Sequence, residues 1–170
     1  MKNLLQFLLK IRIIFSVTFL FSLIFVSGSA LAQSTYTWEG ADNGSWAVAA
    51  NWNPDRTTLA TNDILQFNDG TTKTVTSVPT QTIGRLLVTN NTSVALSGDG
   101  MAQTLTIGNG TGDDLSIESG SSLTINSTLE NVVLASSSTA DISGMLTNNS
   151  TTSKNYTDRQ LNDLICFIIN

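Results

Sequence analysis

The sequence predicts an all-β fold, a short parallel β-helix (β-solenoid) with a Trp-rich N-terminal β cap. Three observations point there. From Ile83 to Leu146 a pair of apolar residues flanking one polar residue keeps returning: Leu86 and Val88, Val94 and Leu96, Leu105 and Ile107, Leu115 and Ile117, Leu123 and Ile125, Val132 and Leu134, and the weaker Ala140 and Ile142. Alternation sends both apolar members of a pair to one face, so each pair reads as a short half-buried strand. The pairs begin at positions 86, 94, 105, 115, 123, 132 and 140, so every second pair recurs after roughly 17 to 21 residues, within the range of stacked solenoid repeats. Between them, Gly98-Asp99-Gly100, Gly108-Asn109-Gly110, Glu118-Ser119-Gly120 and Ser143-Gly144 supply the positive φ and the side-chain-to-backbone bonds that tight corners need. On this reading one coil takes about 18 residues. Leu105, Ile107, Leu123 and Ile125 are then buried, and Leu105 stacks over Leu123. Evenly spaced short strands also fit an antiparallel β-sandwich, the alternative topology.

In chain order, Met1 to Ala32 has the form of a secretory signal. Lys2, Lys10 and Arg12 make a positive start, Ile13 to Val26 is largely apolar, and Gly28-Ser29-Ala30-Leu31-Ala32 ends in a small-x-small pattern. This predicts cleavage between Ala32 and Gln33. No later stretch is long and apolar enough to span a bilayer, so no membrane segment is expected in the mature chain. Residues 33–150 then carry the fold, and 151–170 form a tail.

Removing residues 1–32 leaves five basic against thirteen acidic residues, a net charge of −8. There is no basic residue between Leu86 and Ser150. A nucleic-acid partner is therefore not expected, because displacing phosphate counterions needs clustered Lys and Arg. Cys166 is the single cysteine, so an intramolecular disulfide is excluded and stability must come from packing and backbone ladders. The absence of histidine removes the commonest general base and the usual zinc ligand. No catalytic constellation is found, and no metal or cofactor is expected.

Residues 33–82 read as a cap module. They hold Trp38, Trp46 and Trp52, together with Tyr36 and both prolines. Tyr36-Thr37-Trp38 alternates like a strand. Asp63 to Phe67 and Lys73 to Val78 read as two strands joined through Asn68-Asp69-Gly70, a hairpin-type turn signal. The tryptophans have two readings. They form the core of a cap over the solenoid's first coil, or they expose Trp38, Trp46 and Trp52 as a sugar-stacking platform. Asp42, Asp55 and Asp63 offer oxygen ligands for calcium without its loop spacing, and turn formation explains them.

The words Tyr36-Thr37-Trp38-Glu39-Gly40, Gly44-Ser45-Trp46, Asn51-Trp52-Asn53-Pro54 and Asp63-Ile64-Leu65-Gln66-Phe67 carry a resemblance. Their order resembles an arrangement in large secreted and outer-surface proteins of Gram-negative bacteria. There it precedes β-solenoid repeats similar to autotransporter passenger or autotransporter-associated β-strand repeats. The likeness covers roughly residues 35 to 145. It implies a secreted or cell-surface structural or adhesive module, and it brings no catalytic residues with it. The further repeats and the C-terminal barrel or sorting domain of the larger proteins have no counterpart in these words. Expected partners are host or matrix glycans or other surface proteins, with self-association through the solenoid ends. The alternatives are a carbohydrate-binding module and a fragment of a polysaccharide-degrading β-helix.

Within residues 83–150, Asp113 and Asp114 read as acids on a solvated corner. Asp99, Glu118, Glu130 and Asp141 are the candidates for paired carboxylates, although nothing in the sequence pairs them. For residues 151–170 two readings stand. Leu161, Leu164, Ile165 and Ile168 form one face of a helix that covers the last open coil, or the segment is the non-native end of a truncated or frame-shifted chain.

Overall fold

In the computed structural model, residues 33–108, 110–129 and 131–149 are described. The alternating segments become β1 (Thr35–Trp38), β2 (Gly44–Ser45), β3 (Trp52–Asn53), β4 (Ile64–Phe67), β5 (Thr72–Thr76), β6 (Gln81–Ile83), β7 (Arg85–Val88), β8 (Ser93–Leu96), β9 (Thr104–Ile107), β10 (Leu115–Ile117), β11 (Ser122–Ile125), β12 (Asn131–Leu134), β13 (Ala140–Ile142) and β14 (Met145–Asn148). Each of the seven apolar pairs lies inside one strand. A 3-10 turn, Ala49–Asn51, precedes β3. Ala32 and the segment before it, and the tail 151–170 with its proposed helical face, lie outside the described residues.

The strands form a β-solenoid of about four turns, with three sheets around one core. Sheet 1 runs β13-β10-β7-β4-β1-β3, sheet 2 runs β14-β11-β8-β5-β2, and sheet 3 runs β12-β9-β6. Among the described residues the pairings are parallel, except that β3 lies antiparallel on β1. The antiparallel sandwich is thereby excluded. The parallel ladders also run without a break across positions 82 and 83, so β4, β5 and β6 are a coil of the same stack.

The coil is longer than the pair spacing predicts. Each coil takes three strands, so every third pair stacks. Leu65, Leu86, Leu115 and Ala140 are successive rungs, 21, 29 and 25 residues apart. Leu105 pairs with Gln81 and Val132, and Leu123 with Val94 and Leu146, so the expected stacking of Leu105 over Leu123 is wrong. The reason is that alternation fixes which face a strand buries and carries no information about which neighbour it meets. The burial expectation itself holds, with Leu105, Ile107, Leu123 and Ile125 all inside the core.

The turn at Asn68-Asp69-Gly70 is likewise a corner, not a hairpin, since β4 and β5 belong to different sheets. Gly70 takes φ 71° there. Asn91 and Gly120 occupy the same point after Val88 and Ile117, with φ 57° and 84°. Backbone groups continue to pair from coil to coil at this corner: the N–H groups of Thr89, Glu118 and Ser143 donate to the carbonyls of Phe67, Val88 and Ile117, each at 2.9 Å. The corner is thus a continuation of the ladder, which leaves few buried backbone groups unpaired.

Inward columns fill the interior: Leu65, Leu86 and Leu115; Phe67, Val88 and Ile117; Val75, Leu96 and Ile125; Ile83 and Ile107. Each such aliphatic side chain contributes about 1.5–3 kcal/mol on burial. Between β6 and β7 the chain passes against the preceding loop so closely that a Cβ on Gly84 would lie 2.6 Å from the Asn62 carbonyl oxygen and 2.7 Å from its carbon. Backbone cannot yield as a flexible side chain can. Gly84→Ala should therefore lower stability by roughly 1–3 kcal/mol, read as a fall in the urea midpoint at unchanged slope.

Candidate functional site

The cap begins with alternation in β1, which turns Trp38 inward, and with the β1–β3 pairing, which sets Trp38 opposite Trp52. The Trp38 and Trp52 rings meet edge to face at 4.9 Å and 80°, and Trp46 and Trp52 at 5.0 Å and 84°. Phe67 packs against all three, with centroids 5.7–6.3 Å away. Trp52 Nε1 donates to the Trp46 carbonyl at 3.0 Å. Gly40 is what permits this density, because a Cβ there would lie 2.5 Å from Trp38 Cζ2.

This geometry corrects the sugar-platform reading. Trp38, Trp46 and Trp52 are only 2%, 2% and 1% exposed. A pyranose needs an open indole face, and here the faces are used up by the other rings and by Phe67. The three tryptophans are the core of the cap.

The sequence did not disclose what lies beside them. Arg56 and Asp63 close the loop that follows β3, with both side chains 1% exposed. Arg56 Nε donates to Asp63 Oδ2 at 2.8 Å, and Nη2 lies 2.8 Å from the same oxygen. That oxygen also accepts from the Ala60 N–H at 3.1 Å, and the Asp63 carbonyl accepts from Gly84 and Arg85. The guanidinium sits 5.8 Å from the Tyr36 ring and 6.0 Å from that of Trp52, and Nη1 reaches Gln81 Oε1 at 3.5 Å. A buried cation is thus neutralised by one carboxylate and flanked by two π faces. Asp63 is an ion-pair partner and not a calcium ligand.

The remaining acids are engaged separately. Asp42 Oδ1 accepts from the Thr74 N–H at 2.7 Å, and Asp55 is exposed. Among the described residues no three acidic or metal-ligating side chains converge, so Asp42, Asp55 and Asp63 are not brought together. Asp113 is exposed as expected. Asp114 is not: it is buried, accepting from the Gly110 N–H at 2.9 Å and, through its other oxygen, from the Thr139 N–H at 3.0 Å. It staples one corner to the next, and two backbone donors replace the water it gives up. Glu118 accepts from the Asn90 N–H, Asp141 from the Ser143 hydroxyl, and Asp99 from the Met101 N–H and the Gln103 amide. Glu130 lies outside the described residues.

Two carboxyls are held below their usual value of 3.8. For Asp69, burial works upward and is outweighed by the Thr71 hydroxyl and N–H and by the Lys73 ammonium. For Asp99 the Gln103 amide leads, followed by the Met101 N–H. A depressed carboxyl stabilises the fold above its unfolded value and loses that contribution as pH falls through the folded one. Stability should therefore decline as pH drops below 3.8. In Asp69→Asn the decline should be shallower, as measured by urea melts between about pH 5 and pH 2.

Comparison with family models, with curated proteins and with solved structures finds no match.

Proposed function

We propose that the protein is an exported structural or adhesive module, secreted or displayed at the cell surface, which presents side-chain rows to a partner and turns over no substrate. The observation that carries this reading is the outer face of sheet 2. In-register pairing lines up Thr72, Ser93, Ser122 and Met145 in one row and Thr74, Ala95, Thr124 and Thr147 in the next. Rungs in such a ladder repeat at about 4.8 Å. Most of these side chains are short, and Ser93, Ala95, Ser122 and Thr124 stand on backbone paired on both sides, so binding across them costs little conformational entropy. A periodic face of mostly short, mostly polar side chains suits an extended partner such as a matrix glycan or another surface protein.

Support for a non-catalytic role comes from the acids, since Asp42, Asp63, Asp99, Asp114, Glu118 and Asp141 each hold a bond within the fold. Export rests on the pattern of residues 1–32, and the surface setting on the resemblance of residues 35 to 145. The test has two parts. Expression in a Gram-negative host should yield protein outside the cytoplasm beginning at Gln33. That protein should bind matrix glycans or immobilised surface proteins saturably, and Thr74→Arg with Thr124→Arg should weaken binding without changing the melting temperature. Retention in the cytoplasm, polysaccharide cleavage, or binding indifferent to both substitutions would overturn the proposal.

A further inference from the structure

Among the described residues, one end of the stack is covered and the other presents an unpaired edge. At the N-terminal end β3 covers the edge of β1, the tryptophans fill the core, and Arg56 sits against Gln81 of β6. At the other end β13 and β14 carry sheets 1 and 2 one rung past β10 and β11, whereas sheet 3 stops at β12 among the described residues. Among the described residues the last coil has no third strand. One column shows the effect: Ile83 and Ile107 are fully buried, but Leu134, the next rung, is 37% exposed. Val132, the other inward residue of β12, is likewise only half-buried, whereas its partner Leu105 is fully buried. An open edge with exposed apolar side chains recruits another chain segment.

Chain order identifies the candidate. Each earlier coil passes from sheet 2 to sheet 3, from β5 to β6, β8 to β9 and β11 to β12. By that order, the residues that would supply the next rung of sheet 3 are those that follow β14. Residues 151–160 hold no alternating apolar pair, while 161–169 read Leu-Asn-Asp-Leu-Ile-Cys-Phe-Ile-Ile. We propose that the open edge of β12, with Leu134 at the end of its column, is the docking surface for this chain's own residues 161–169. From Asn149 to Leu161 the backbone can span up to about 40 Å, ample to reach the neighbouring side of one coil. Tethering also decides between this segment and a second copy. A short flexible linker gives an effective concentration in the millimolar range, well above that of a free second copy at micromolar protein.

Cys166 lies inside the segment and reports on its position. Val132→Cys, Val133→Cys and Leu134→Cys, each made singly in the full chain, should be mildly oxidised and resolved by non-reducing electrophoresis and intact mass. A disulfide forms only where Cα atoms come within about 7 Å. At least one variant should give an intramolecular bridge in a monomer. Covalent dimers would assign the edge to a second copy, and free thiols in all three would show it uncovered; either result overturns the proposal. A second variant leaves the described fold untouched: Ile165→Asp with Ile168→Asp should speed amide exchange in β12 at least tenfold while β9 is unaffected. Unchanged exchange in β12 would contradict the docking.

Discussion

Arg56→Met, with Asp63 left in place, should destabilise the protein by about 3–5 kcal/mol, the usual consequence of breaking a buried pair from one side. The carboxylate would remain 1% exposed with the Ala60 N–H as its remaining donor at Oδ2. Loss would extend past the pair itself, because the guanidinium also packs between Tyr36 and Trp52 and reaches Gln81. The double variant Arg56→Met with Asp63→Leu should recover much of the loss, since no charge then stays buried and the apolar side chains suit the aromatic surroundings. Urea denaturation of the wild type, the single variants Arg56→Met and Asp63→Leu, and the double variant gives the coupling energy directly. A double variant no more stable than the sum of the two singles would mean that the two side chains act independently.

Ile107→Asp should leave no folded protein. Ile107 is fully buried between Ile83 and Leu134 in sheet 3, and the column offers no cation to an introduced carboxylate. Burying an unpaired charge costs several kcal/mol even after relaxation, against a total stability of about 5–15 kcal/mol for an ordinary domain. Leu134→Asp makes the same chemical change one rung lower, where the side chain is 37% exposed, and should be milder, its cost limited to the docking of residues 161–169 proposed above. Ile107→Val, which removes one methylene, should cost only about 0.5–1.5 kcal/mol. Circular dichroism and thermal melts of the three variants would reveal this gradient, and equal effects at 107 and 134 would contradict the stacked column.

These two sites also mark how far the sequence could be read. Ile107 was legible because a strand buried on one face alternates, and every apolar pair from Leu86 to Ile142 became a strand. The coil length was not legible from those pairs, since spacings of 8 to 11 residues allow any pair to meet any other. A better signal was the corner. Phe67, Val88 and Ile117 are each followed three residues later by Gly70, Asn91 or Gly120, the residue types that tolerate positive φ, and these corners stand 21 and 29 residues apart. That is the true coil step.

Polar burial was the least legible feature. Gln81 occupies an inward column with Leu105 and Val132, so its strand shows no apolar pair. Asp114 looks like its neighbour Asp113 in the sequence, yet only Asp114 meets the N–H groups of Gly110 and Thr139. Arg56 and Asp63 are seven residues apart in a loop, and their pairing depends on the surrounding aromatic cluster. In each case the burial itself depends on groups brought up by the next coil or by the cap: Leu105 for Gln81, Thr139 for Asp114, and Tyr36 and Trp52 for Arg56. No local pattern encodes it. The cap itself was legible in part, because three large aromatics in a small domain seek burial, although the same residues also allowed a sugar platform.

A three-strand coil with in-register parallel stacking defines this fold, and nuclear Overhauser contacts across sheet 2 read it out. Residues Ala95 and Thr124 are ladder partners in β8 and β11, while Thr106 pairs with Thr82 and Val133 in sheet 3. Backbone contacts should therefore connect 95 with 124 and 94 with 123, running in the same direction along both strands. Contacts joining Thr106 to Thr124, or antiparallel contacts between the consecutive strands β8 and β9, would contradict the three-strand coil.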